Sequence, residues 1–134
     1  MAATAALSVA LLAACAPQPP THLAGTASVT VNGNDRNFHI VKCGQREWTR
    51  TIDIGGDLAG AKVIIDESVQ PAMAQSVHIQ NLGGFSGMYS RGGGDNADTS
   101  MTDDKFVISG NAHGYQTGKA GEPATATFKI VVTC

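Results

Sequence analysis

The sequence predicts an all-β domain: an antiparallel β-sandwich or a strongly curved sheet of about eight short strands, with one disulfide and little or no helix. Short runs of alternating apolar and polar residues recur along the chain, and turn-forming residues separate them. Sixteen glycines and an aromatic content of only 5% indicate many turns rather than long helices.

The first two strands are predicted from a hairpin pattern. Val29 and Val31 lie on one face of a strand, and the run Asn32 to Asp35 supplies the residues of a tight turn. Phe38 and Ile40 then resume the alternation. This segment is therefore expected to form strand, turn and strand.

The middle of the chain is less regular. Cys43 to Gln45 breaks the pattern before a strand from Glu47 to Ile54, in which Arg50 interrupts the apolar parity and is expected at a strand edge or with its charge reaching solvent. Pro71 limits the segment from Glu67 to Ala74 to a loop or one helical turn. The remaining strands are predicted at Ala61 to Asp66, around Val77 and Ile79, and at Phe85 to Ser90, Ala97 to Thr102, Lys105 to Gly110 and Ala124 to Cys134.

The N-terminus has the features of an export signal. Residues Met1 to Ala14 are small or apolar and carry no charge, and the run is too short to span a membrane, which takes about 20 apolar residues. Leu12-Ala13-Ala14-Cys15 matches the bacterial lipobox, in which the cysteine receives a diacylglyceryl group and becomes the mature N-terminus. The alternative is an ordinary secretory signal. The positively charged start of such signals is missing, which suggests a true start upstream of Met1.

Three regions follow from this pattern: a lipoprotein signal peptide at 1–14, a lipid-anchored, proline-rich stalk at 15–25, and a β domain at 26–134. The ten residues from Ala16 to Gly25 include three prolines. In extended polyproline geometry they would hold the domain up to roughly 30 Å from a bilayer. No cofactor is predicted.

Charge excludes one class of partner. The formal net charge is −2, and the nine lysines and arginines form no stripe or cluster. Nucleic-acid binding is therefore not expected.

The three cysteines divide into two roles. With Cys15 taken as the acyl acceptor, Cys43 and Cys134 form an even pair in an exported chain, where disulfides persist. A bridge would close a loop of about 90 residues, worth roughly 4 to 5 kcal/mol in the chain-entropy model. Zinc binding is the alternative, although the pair lacks the usual close spacing.

No catalytic or metal motif is complete, and the chain is not predicted to be an enzyme. Ser86 lies in a sequence that only approaches the Gly-x-Ser-x-Gly elbow, and Gly92 to Gly94 lacks the Lys that follows in a phosphate loop. No metal site is predicted from the other polar groups. His39 and His78 are expected to face solvent, and neither they nor His22 in the stalk and His113 have a second ligand at a recognisable spacing. The remaining residues are read as solvated turn residues: Asp95, Asn96, Asp98, Asp103 and Asp104.

One candidate binding site remains. An apolar cleft between sheet and loop would receive a hydrophobic ligand such as a lipid. The residues assigned to it are Trp48, Met73, Phe85, Met88 and Tyr89.

The chain resembles a known family, the mycobacterial nineteen-kilodalton lipoprotein antigens, or LpqH-like lipoproteins. The resemblance rests on five features: the lipobox at Cys15, the segment Val29 to Asp35, the tripeptide Val-Lys-Cys that ends at Cys43, the segment Asn96 to Gly110 and the C-terminal sequence Phe-Lys-Ile-Val-Val-Thr-Cys. It covers nearly all of the predicted domain.

The resemblance implies a surface antigen without enzymatic activity. Its acylated Cys15 would anchor it to the outer face of the cytoplasmic membrane, with surface exposure or shedding as further outcomes, and host Toll-like receptor 2 would sense the acylated end. It also carries over Cys43 with Cys134 as the disulfide. The stalk is shorter and poorer in Ser and Thr than in the best-known member, so stalk glycosylation is not carried over.

Overall fold

The computed structural model describes residues 25–134, which form ten β-strands and no helix. In this range no helix is long and apolar enough to cross a membrane. The predictions for the signal peptide, Cys15, His22 and the stalk before Gly25 lie outside the described residues. The strands are β1 (Thr26–Val31), β2 (Asn34–Phe38), β3 (Val41–Arg46), β4 (Thr49–Gly55), β5 (Gly60–Asp66), β6 (Met73–Leu82), β7 (Phe85–Ser90), β8 (Asp98–Thr102), β9 (Lys105–Gln116) and β10 (Ala124–Thr133).

All ten strands belong to one antiparallel sheet with the order β2-β1-β10-β9-β7-β6-β5-β4-β3, and β8 pairs with β9 off this path. The long strand β9 pairs with β10 along one edge. Along its other edge it pairs first with β8 and then, from His113 to Gln116, with β7. The lower part of β9 therefore pairs with β8 and its upper part with β7, and the curved sheet encloses one hydrophobic core.

A disulfide joins β3, at one end of the strand order, to the end of β10, which lies near the other end of the order. Cys43 in the last-placed strand β3 is bonded to Cys134, the residue after β10, with Cα atoms 5.9 Å apart. Gly25, just before β1, lies against Val41 at the start of β3. The sheet is thus strongly curved and nearly closed, and the predicted fold class is confirmed.

Strand alternation explains which residues form the core. In β10 every second side chain is buried (Ala126, Phe128, Ile130 and Val132), while Thr127 and Lys129 between them face solvent. Burial of each of the larger side chains, Phe128, Ile130 and Val132, contributes about 1.5 to 3 kcal/mol relative to exposure. The largest fully buried side chains of the other strands are Phe85, Phe106, Ile52, Ile65, Ile79, Leu82 and Ile108.

Ten strands are present where the sequence predicted about eight, chiefly because β3 was missed. The predicted strand ending at Ile40 stops at Phe38, and a new strand begins at Val41. Ile40 lies at the bend and is 57% exposed. β3 is an edge strand with a single buried residue, Val41, so it has no apolar alternation to reveal it.

Arg50 closes one end of the core. It lies on the inward parity of β4, an interior strand, so of the two expectations for Arg50 the strand edge does not apply and the charge that reaches solvent does. Its guanidinium carbon lies 5.0 Å from the centre of the Phe106 ring. Its Nε donates to Glu67 Oε1 at 2.6 Å. The charge thus reaches the surface beside a carboxylate, while the stem covers the core.

Candidate functional site

The two domain cysteines form the predicted disulfide. Cys43 and Cys134 are 91 residues apart in the chain, and their bond joins β3 to the end of β10. Both sulfurs are consumed by this bond, which removes the zinc alternative for the pair.

The described chain begins next to this bridge. A Cβ added to Gly25 would lie 2.6 Å from the Thr133 carbonyl oxygen and 2.8 Å from Val41 Cβ. Contacts this short are not tolerated, so the backbone passes through a gap that only glycine fits. The segment that leads back to Cys15 therefore meets the domain beside β3 and the end of β10. We call this region the tether end.

The five residues assigned to an apolar cleft do not surround one cavity. Phe85 and Tyr89 are buried in the core. Met88 adjoins Tyr89 on β7 and therefore points to the opposite, outer face. Trp48 lies in the β3–β4 turn with 66% of its surface exposed, and Met73 is exposed at the start of β6.

A surface hollow of about 520 Å³ lies elsewhere, on the outer face of β3 to β6. Its floor is a row of paired residues on neighbouring strands: Lys42 opposite Asp53, Asp53 opposite Lys62, and Lys62 opposite His78. Ile40 forms part of its wall. Sequence reasoning missed this site because the row is assembled only once β3 is recognised as a strand.

A second hollow of about 490 Å³ adjoins the first and shares Ile40, Gly55, Gly56 and Asp57 with it. It is lined by β2 and by the β4–β5 loop, where Leu58 is 86% exposed. At the edge of this hollow, the Arg36 guanidinium carbon lies 5.4 Å from the centre of the Phe38 ring. We call the surface formed by Arg36, Ile40, Lys42, Leu58 and Lys62 the Ile40 face.

The three histidines of the described range do not gather into a ligand set. His39 and His78 are exposed, as their parity predicted. His113 contacts the Asp95 carboxylate, and its Nδ1 lies 3.1 Å from Thr125 Oγ1. Among residues 25–134 no group of three or more His, Cys, Asp or Glu side chains is placed to hold a metal ion.

Two polar groups have structural roles. The Asn81 backbone N–H donates to Ser86 Oγ at 2.9 Å, which occupies this serine in the β6–β7 turn. Hydrogen bonds from the Ser68 side chain and backbone, followed by the contact with Arg91, hold the pKa of Asp66 below its ordinary value. These contacts stabilise the turn after β5.

Fold and site together define a small disulfide-closed β domain whose N-terminal segment enters beside the disulfide. Residues 20–134 match the model of the Mycobacterium 19 kDa lipoprotein antigen family, and the chain belongs to this family. It is therefore a lipoprotein of the cell envelope, anchored to a membrane, in agreement with the resemblance noted from the sequence.

Individual relatives support this assignment. A relative from Mycobacterium indicus pranii whose name describes a lipoprotein is 68% identical over the whole chain and 96% of the relative. LpqH of Mycobacterium avium is 31% identical over 83% of this chain and 69% of its own length. LppE of Mycobacterium tuberculosis is 28% identical over 92% of this chain and 87% of its own length.

Proposed function

We propose that the mature protein begins at Cys15, is acylated there, and displays the β domain at the outer face of the cytoplasmic membrane. The lipobox Leu12-Ala13-Ala14-Cys15 carries this proposal. Residues 1–14 are the signal peptide, 15–25 the stalk and 26–134 the displayed domain. Acyl chains contribute about 0.8 kcal/mol per buried methylene, and two or more chains give a stable anchor.

The function that follows is non-enzymatic. The domain serves partner interaction at the envelope surface, and the acylated N-terminus is the group that host Toll-like receptor 2 senses. Support for the second statement comes from family membership.

A receptor assay separates the roles of the acylated end and the folded domain. Chain purified from a mycobacterial host is applied to cells that carry a Toll-like receptor 2 reporter. Cys15→Ser should abolish the response while leaving the domain folded. The paired substitutions Cys43→Ser and Cys134→Ser weaken the domain but spare the anchor, so they should keep the response. A response that persists in Cys15→Ser contradicts the proposal.

The alternative function is a binding module or carrier for an envelope lipid or another apolar ligand. The observation that favours it is the size of the two hollows, about 520 and 490 Å³, within the range of small-molecule sites. Native mass spectrometry of the detergent-extracted chain discriminates between the functions. Bound lipid beyond the covalent acyl groups supports the carrier, and its absence after incubation with envelope lipids supports display alone.

A further inference from the structure

We propose that the Ile40 face lies against the surface of an anionic bilayer when the protein is anchored. The proposal rests on the anchor at Cys15 and adds an orientation to it. Three features of the described residues carry it: the place where the chain enters the domain, the apolar side chains of this face, and its cations.

The Ile40 face adjoins the tether end. Gly25 packs against Val41, whose chain neighbours Ile40 and Lys42 both belong to the face. Phe38 pairs with Ala27, two residues after Gly25. At most roughly 30 Å of extended chain separates Cys15 from Gly25. The anchor therefore keeps this side of the domain close to the lipid headgroups.

Two large aliphatic side chains project from the face. Ile40 is 57% exposed and Leu58 is 86% exposed. The loop that carries Leu58 is fixed by hydrogen bonds from Gly55 N to the Ile40 carbonyl at 2.9 Å and from Gly56 N to the Ala59 carbonyl at 3.1 Å. The exposure of Leu58 is thus a property of an ordered loop, and side chains of this type enter the boundary between headgroups and acyl chains.

The charge of the face differs in sign from that of the chain. Arg36, Lys42 and Lys62 surround the two hollows together with the carboxylates Asp53 and Asp57. Three cations against two carboxylates give a local excess of positive charge on a chain whose net charge is −2. Cations beside an anionic membrane are attracted within about 8 Å at physiological salt.

A bilayer suits this face better than a free ligand because a surface with low intrinsic affinity can still dock once the protein is tethered to the membrane. A short linker gives an effective concentration in the millimolar range, so docking needs little intrinsic affinity. Two aliphatic side chains and three cations provide a weak, broad contact of this kind.

The test uses a bilayer-depth reporter in the full acylated chain. Trp48, the only tryptophan, is replaced by Phe. A new tryptophan is placed on the face by Leu58→Trp, or in the exposed β9–β10 turn by Ala120→Trp as the matched control. That turn joins the end of β10 opposite the tether end, about 30 Å along the strand. Both proteins are reconstituted into vesicles of brominated phosphatidylcholine with phosphatidylglycerol.

Fluorescence at position 58 should be quenched several-fold more strongly than at position 120. Lys42→Gln and Lys62→Gln should each lower the ratio of docked to undocked protein by about five-fold, as expected for one lysine at an anionic surface. Suppose that the protein floats with the vesicles but the two tryptophans are quenched equally. This result overturns the docking and leaves the anchor intact. Protein that fails to float with the vesicles overturns the anchor, and the docking with it.

Discussion

Cys43 and Cys134 are bonded across 91 residues of chain, and the bond joins an edge strand to the residue that follows the last strand. The bond therefore holds the first and last parts of the curved sheet together at the tether end. Val41 and Gly25 pack beside it. The same region thus closes the domain and receives the segment that leads to the anchor.

Replacement of both bridging cysteines by alanine should lower the free energy of unfolding by about 4 to 5 kcal/mol, because the unfolded chain regains the entropy of the opened loop. Urea unfolding followed by circular dichroism measures the change. Reduction of the wild-type chain should produce the same loss, while the reductant should leave the double variant unaffected. A loss below about 1 kcal/mol would show that the rest of the sheet closes without the bond.

Glu67→Gln should destabilise the domain by about 1 to 2 kcal/mol, because it leaves the half-buried Arg50 guanidinium without its carboxylate. Arg50→Met keeps an apolar stem over Phe106 and should cost less. A double-mutant cycle in urea measures the coupling between the two side chains, expected at about 1 kcal/mol. A coupling energy of zero would mean that the interaction between Arg50 and Glu67 adds nothing to the free energy of unfolding.

Asp66→Asn should destabilise the domain at neutral pH but not in acid. The folded-state pKa of Asp66 is lowered, mainly by the Ser68 hydrogen bonds and then by Arg91. Its contribution is therefore fully present above the ordinary carboxyl pKa of about 4 and disappears as the pH falls through the lowered value. Thermal melting from pH 7 to pH 2 measures this effect.

In that titration, the gap in melting temperature between wild type and Asp66→Asn should close on the acid side. Ser68→Ala is the matched variant, because it removes the largest cause of the shift and keeps the carboxyl. It should show the same pH dependence with a smaller gap. A gap that stays constant down to pH 2 contradicts this assignment.

Gly114→Ala should destabilise the domain by about 1 to 3 kcal/mol, because the added Cβ would lie 1.9 Å from the Ser86 carbonyl oxygen on β7. Gly121→Ala is the control, since nothing lies within 4 Å of its added Cβ. Differential scanning calorimetry compares the two. Equal melting temperatures would show that β7 and β9 separate without cost.

The sequence predicted the fold where apolar alternation is uninterrupted. The last strand is the clearest example, because Phe128, Ile130 and Val132 are all buried as expected. β9 extends to Gln116, beyond the predicted end at Gly110. The sequence does not reveal this extension because the glycines of β9 lack the side chains that would show apolar alternation. Strand pairing supplies what the local sequence does not show.

The turn at Glu47 and Trp48 shows a second limit. Glu47 has a left-handed φ of 54°, and neither residue is typical of a tight turn. Gln45 stabilises the turn by donating from Nε2 to the Glu47 carbonyl at 2.8 Å, a contact that sequence periodicity does not encode. The predicted strand therefore includes both residues, whereas the structure places Trp48 in an exposed turn away from any shared cleft.

The site was predictable to different degrees. Cysteine counting in an exported chain was sufficient to pair Cys43 with Cys134. The Ile40 face was not predictable, because Lys42 and Lys62 lie 20 positions apart and become neighbours of Asp53 only through the register of three strands.

Mass spectrometry of detergent-extracted protein from a mycobacterial host tests lipid anchoring at Cys15. We expect a chain that begins at Cys15 and carries a diacylglyceryl group with further acyl mass on that residue. The Cys15→Ser variant should lack this mass. A free thiol at Cys15, or a mature chain that begins elsewhere, would contradict it.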